Sequence, residues 1–321
     1  MHESSPELFV SMYHYVRDLP RTRYPRLKAL LLDDFRCQLD ELPKSYEVAS
    51  LETALAFLRG EYHASRNLCL LTFDDGLKEH YAEVTPLLAE RGIQGVFFLA
   101  TSCLEESNVL PVHMNHLLMA DLPFDTYRSQ FLRRLHETDP ERAAQAENEH
   151  ALAASSYPWD TPEVANWKYF FNFVLDERTR DRTTEELFRS LIGPPAEVSR
   201  ELYVSWEEAR SMQSAGMAIG GHSHRHRPLS TLAVPELEAD LRACREALDR
   251  ELNPQSVWPF SYPYGKRPSF NQASVRCLTR LRFDCAFTTE TGGNATGDDP
   301  YAIRRKDCKV ILPTTAAASA R

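Results

Sequence analysis

Short apolar, β-rich runs alternate with helical patterns along most of this chain, and that rhythm limits the folds open to it. The runs are FVSMYHYV (9–16), LCLLTF (68–73), IQGVFFLA (93–100), GMAIGG (216–221), SVWPFSYPYG (256–265) and DCAFTT (284–289). Between them lie LDDFRCQLDEL, SLETALAFLRG, LKEHYAEVTPLLAERG, SWEEARSMQSAG and PELEADLRACREALDREL. Their apolar residues recur near every 3.6 positions, often just after a Ser, Thr or Asp suited to an N-cap. Strand and helix alternation at this spacing predicts parallel βαβ units, closed as a barrel or open as a doubly wound sheet. Periodicity alone does not choose between the two.

Residues 104–202 break the rhythm. The segment is charged, shows helical patterns without strand alternation, and ends NWKYFFNFVLDERTRDRTTEELFRSLIGPP. It reads as a mostly helical insertion between two parts of one α/β core, 1–103 and 203–321. Loops at the C-terminal ends of barrel strands build active-site rims, so the expectation is a lid or substrate wall, with Trp159, Trp167 and Tyr169 as aromatic edges. A stabilising or dimerising appendage is the alternative. At 321 residues the chain is long enough for one large domain carrying such an insertion.

Lys and Arg total 37 against 46 Asp and Glu, and no basic tract is present, which argues against a nucleic-acid partner. The N-terminus lacks a basic segment followed by a long apolar one, and no apolar run reaches the length of a membrane span. A soluble, cytoplasmic protein is the expectation. The 7 cysteines are odd in number, scattered, and form no CxxC pair, so they read as free, mostly buried thiols. Nothing in the sequence signals an oligomeric state.

Two stretches carry chemistry. LCLLTFDDG is a buried-strand pattern that ends on Asp74, Asp75 and a glycine, the place where a parallel strand delivers side chains to the C-terminal face. Adjacent carboxylates repel, and a divalent metal relieves the repulsion if one ligates it while the other takes a proton from its water. DDG also makes an ordinary turn. GGHSHRHRPL (220–229) has three of the 11 histidines at alternate positions. His222 and His226, four apart, suit one metal on a tightly turned backbone, while His224 points elsewhere.

TFDDG, HSHRH as H-[ST]-x-x-H, and FSYPYG, in that order, resemble the successive motifs of the polysaccharide deacetylases, the NodB-like carbohydrate esterases. The resemblance spans roughly 8–103 and 203–310 and implies a deformed (β/α)7 barrel that hydrolyses an N-acyl group of an amino sugar. It implies Asp75, His222 and His226 as metal ligands, Asp74 as general base, and the Tyr264 backbone N–H as a partner to the oxyanion. Ser223 fills the hydroxyl position and is expected to fix the loop through the backbone. Zinc is the default ion, with cobalt, nickel, manganese or iron also compatible.

The chain departs from the family pattern twice. Ser261 stands where many members have an arginine that orients the base, and Arg305 in YAIRRKD is expected to contact Asp74 instead. No histidine follows His226, so the late family histidine is missing and the leaving amine needs another acid. His14, at the end of the first strand, is expected to supply it because first and last strands are neighbours in a closed barrel; His113 and His116 are less suited. The resulting expectation is an amide hydrolase acting on an acylated amino sugar, a cytoplasmic surface-polysaccharide precursor. Its rivals are a hydrolase of a non-sugar amide, such as a ureide or cyclic imide, and a catalytically silent carbohydrate-binding protein.

Overall fold

Each of the six apolar runs becomes a strand in the computed structural model, which describes residues 5–311 except 149, 158 and 159. The main sheet comprises β1 Leu8–Tyr13, β2 Glu47–Val48, β3 Leu68–Phe73, β4 Gly95–Leu99, β5 Ala218–Gly221, β6 Pro259–Ser261, β7 Cys285–Phe287 and β8 Lys306–Asp307. Its order is β8-β1-β3-β4-β5-β6-β7, with β2 also on β3, and every ladder is parallel. The sheet curls with helices around it into a deformed (β/α)7 barrel, which settles the choice that periodicity left open.

Parity along the strands decides what faces the site. Leu8 and Val10 of β1, Leu68 and Leu70 of β3, Val96 and Phe98 of β4, and Cys285 and Phe287 of β7 share one buried cluster with helix Leu51–Leu58. The alternate residues, among them Phe9, Tyr13, Leu71, Phe73, Phe97, Ile219 and Phe260, join the cluster formed with the outer helices. Burial on both faces explains why these strands read as continuous apolar runs. Carried two residues further, the inner set reaches Asp74 after β3 and His222 after β5. Gly220 is required there, since a Cβ on it would lie 2.4 Å from the Pro259 carbonyl oxygen.

Among the described residues no ladder joins β7 to β8. The gap is bridged by Phe287 with Ile303 and by Leu8 with Asn294. The Asn294 amide donates to the Leu8 and Arg304 carbonyls and its oxygen accepts from the Arg304 N–H. Capping signals in the sequence are used as expected: Ser50 caps helix Leu51–Leu58, and Ser205 with Glu208 forms a capping box on helix Trp206–Ser214.

A second compact unit consists of Ser107–Ser199 together with Leu19–Leu27. Its described residues form helices and no strand. Leu19–Leu27 falls within the stretch read from sequence as barrel, yet Arg26 donates to the Ala120 and Asp121 carbonyls and Arg23 to that of Ile192. Trp167 does not edge a groove. It is 1% exposed and packs edge-on against Tyr127 and Phe131 in the core of this unit, where its ring buries more apolar area than any surface position offers. Trp159 lies outside the described residues. Among the described residues no helix is long and apolar enough to cross a membrane.

Candidate metal centre

The β3 strand runs straight into Asp74, whose N–H still donates to the Tyr13 carbonyl at 2.9 Å. The chain then turns sharply, with φ of 78° at Asp75 and 62° at Gly76. A side chain at Gly76 would come within 2.8 Å of Leu99, so the turn takes glycine for space as well as for conformation. This reversal separates two adjacent carboxylates that would otherwise share one environment.

Asp75 faces two imidazoles. Its Oδ1 lies 3.4 Å from His222 Nε2 and 3.5 Å from His226 Nε2. One ligand atom from each of the three falls within 4.8 Å of the others. His222 continues β5, its N–H on the Leu99 carbonyl. Its Nδ1 donates to the Ser261 carbonyl at 2.7 Å, which leaves the Nε2 lone pair directed at Asp75. His226 comes round because Ser223 and His226 adopt φ of 60° and 53°, and the Ser223 hydroxyl accepts from the His226 N–H at 2.9 Å. Two imidazole nitrogens and a carboxylate oxygen converging at these distances repel one another unless a proton or a metal cation sits among them. A two-histidine, one-carboxylate set fits a divalent transition metal with positions left open. Burial alone lowers the His222 pKa, but the Asp74 and Asp75 carboxylates outweigh it and raise it.

Asp74 has a different neighbour. Arg305 is 1% exposed, and its guanidinium grips Asp74 with two bonds of 2.8 Å, Nη1 to Oδ1 and Nη2 to Oδ2. Its remaining donors reach Thr72 Oγ1 at 3.2 Å, Ser261 Oγ at 2.9 Å and the Thr288 carbonyl at 2.8 Å. All five N–H groups are thereby matched, as burial of an arginine requires. Burial opposes ionisation of Asp74, but Arg305, with His222 and His14, brings its pKa down to about 2.

His14 follows β1 with its side chain 42% exposed, and its Nε2 lies 3.8 Å from Asp74 Oδ2. Its carbonyl is held at 2.9 Å by Nε2 of His80, a buried histidine between Phe73 and Phe97. Tyr264 has φ of 63°, and its ring lies 5.2 Å from that of His226. His224 does not join the triad; its Nδ1 meets the Thr101 hydroxyl at 2.9 Å. His113 and His116 lie on helix Pro111–Asp121 of the helical unit. Thr72, the Ser261 carbonyl and hydroxyl, and His80 were not foreseen. Strand parity offers a signal for the first two residues; nothing in the sequence singles out His80. Among the cysteines, Cys37 is exposed and the other six are buried and free, with the Cys69 thiol pushed up to about 12 by burial.

Several solved structures share this architecture. IcaB from Ammonifex degensii matches over 100% of both chains at 19% identity, with a TM-score of 0.58. The Streptococcus pyogenes deacetylase PplD in complex with acetate matches over 97% of this chain and 94% of its own at 14% identity, with a TM-score of 0.57. The BpsB deacetylase domain from Bordetella bronchiseptica matches over 94% and 97% at 17% identity, with a TM-score of 0.55. At these identities the likeness establishes the fold. The comparison with curated proteins finds no match. A family model described as polysaccharide deacetylase matches residues 62–285, well over half of the chain and a span that holds Asp74, Asp75, His222, His226 and Tyr264. On that match, the chain belongs to the polysaccharide deacetylase family.

Proposed function

We propose that this protein hydrolyses an N-acyl group, acetyl or formyl, from an amino sugar in a metal-dependent reaction, with zinc as the expected ion. One observation carries the reading: two neighbouring buried carboxylates have opposite surroundings, Asp75 toward two imidazole nitrogens and Asp74 in the grip of Arg305. Carboxyl groups held in contrasting environments take different roles in catalysis. Asp75, His222 and His226 are the proposed ligands and Asp74 the proposed base.

A divalent ion held by Asp75, His222 and His226 would supply Lewis acidity at the acyl group. Asp74 accepts the proton from the attacking water. Arg305 keeps it ionised and takes one lone pair of each oxygen, leaving others to receive that proton. The Tyr264 backbone N–H is assigned to the acyl oxygen as negative charge develops on it. His14, beside Asp74 and open to solvent, gives a proton to the departing nitrogen as the C–N bond breaks. One water and one amide are consumed; one carboxylic acid and one amine are released. The barrel unit, which leaves out Leu19–Leu27 and Ser107–Ser199, carries this chemistry, and the helical unit supplies none of the proposed ligands. Family membership supports a sugar as the carrier of the amide, and the acetate-bound PplD favours acetyl as the first acyl group to test.

Plasma mass spectrometry of the purified protein is the direct test. About one equivalent of a transition metal is expected in the wild type, and none in the His222→Ala, His226→Ala double variant. Asp75→Ala loses metal and turnover together, whereas Asp74→Asn keeps metal and loses turnover of an N-acetyl amino sugar, read as released acetate. Metal retained by Asp75→Ala, or full turnover by Asp74→Asn, overturns the assigned roles.

A further inference from the structure

The separation of the His222 and His226 imidazoles is governed by the main chain of the three residues between them. That segment has no regular secondary structure, and left-handed conformations at Ser223 and His226 bend it. Such backbone persists only where its surroundings impose it. Two elements do so. On one side, the N–H groups of Thr101 and Ser102 donate to the Ser223 and His224 carbonyls at 3.2 and 3.0 Å, and the Thr101 hydroxyl meets His224 Nδ1.

On the other side stands Asp240, in the middle of helix Val234–Glu251 and 8% exposed. Its Oδ1 accepts from the His224 N–H at 2.9 Å, and its Oδ2 accepts from the Arg225 N–H at 3.0 Å. Both oxygens of one buried carboxylate are thus spent on consecutive N–H groups between the two proposed ligands. Charge-assisted bonds to backbone are strong and directional when shielded from water. Neither contact serves the helix that bears Asp240, and neither His224 nor Arg225 is a proposed ligand.

The geometry points to Asp240 as a positioning residue that sets the spacing of His222 and His226, and with it the affinity for metal. The inference rests on the ligand set proposed above. It also gives His224 a purpose without making it a third ligand: its main chain is the strut between Asp240 and the Thr101–Ser102 turn.

The test compares wild type, Asp240→Asn and Asp240→Ala. Asparagine keeps the shape but replaces one acceptor with a donor, so it serves even if the alanine variant fails to fold. Zinc and cobalt(II) affinities are measured by competition with a chromophoric chelator, on metal-free protein well below its melting transition, so that lost stability does not enter. Asp240→Asn is expected to bind both ions roughly 10- to 100-fold more weakly, the range seen when outer partners of metal ligands are removed. Its cobalt visible spectrum should change in shape as the two imidazoles move. Wild-type affinity and an unaltered spectrum in Asp240→Asn would remove this inference alone. If the wild type itself binds neither ion, the proposed ligand set fails first.

Discussion

Arg305 decides what Asp74 is. Remove the guanidinium and burial, which favours the neutral acid, is opposed only by His222 and His14. The Asp74 pKa, now about 2, lies below the ordinary 3.8, so its stabilising contribution is complete at neutral pH. That contribution fades as pH falls through the interval between those values. Arg305→Gln reverses the sign: the Asp74 pKa rises, and the acid limb of the pH–rate profile moves to higher pH. Arg305→Lys keeps a charge but offers three donors where five are used, and it lacks the fork that binds both oxygens. Its turnover should fall on the order of 100-fold, the weight of a displaced general base. Profiles of the two variants beside the wild type check this; an unmoved acid limb in Arg305→Gln would show that Asp74 owes its ionisation to something else.

At the scale of elements, the barrel was readable because strands buried on both faces leave long apolar runs. LCLLTF is strand Leu68–Phe73 to the residue, four of the other runs contain their strand, and FVSMYHYV misses only Leu8 at the start of the first. Glu47–Val48 and Lys306–Asp307 escaped notice because two residues of mixed polarity carry no period. The proposed triad was legible from motif order. The Arg305 contact was legible only as a need, since an arginine elsewhere had to replace the one missing at Ser261. Asp240 left no trace, because a lone acid within a helical run looks like any solvated residue. Where β5 and β6 cross closely, the sequence shows only GG, and the structure gives the reason in the contact between Gly220 and the Pro259 carbonyl. Gly220→Ala should therefore lower stability by about 1–3 kcal/mol through overpacking. Thermal melting of Gly220→Ala beside the wild type measures it. An unshifted midpoint would mean that the strands part more easily than their spacing indicates.

For the molecule as a whole, all the proposed ligands and the Asp74 clamp lie in the barrel unit, and the helical unit has its own aromatic core. Metal should thus stabilise one part selectively. At a free concentration 100 times the dissociation constant, the gain is about 2.7 kcal/mol. Hydrogen exchange should slow at 74–75 and 222–226 while residues 107–199 stay unchanged. Equal protection in both units would place the effect of the ion elsewhere. His14 follows the first strand, Arg305 precedes the last, and the bond that ties Arg305 to Asp74 spans 231 positions. Asp75, His222 and His226 all leave the ribosome well before Arg305 does. A growing chain therefore presents the proposed ligands while Asp74 is still unclamped, and the clamp forms only once Arg305 is in place. On the proposed roles, a product that ends before Arg305 is expected to bind the ion without turning over.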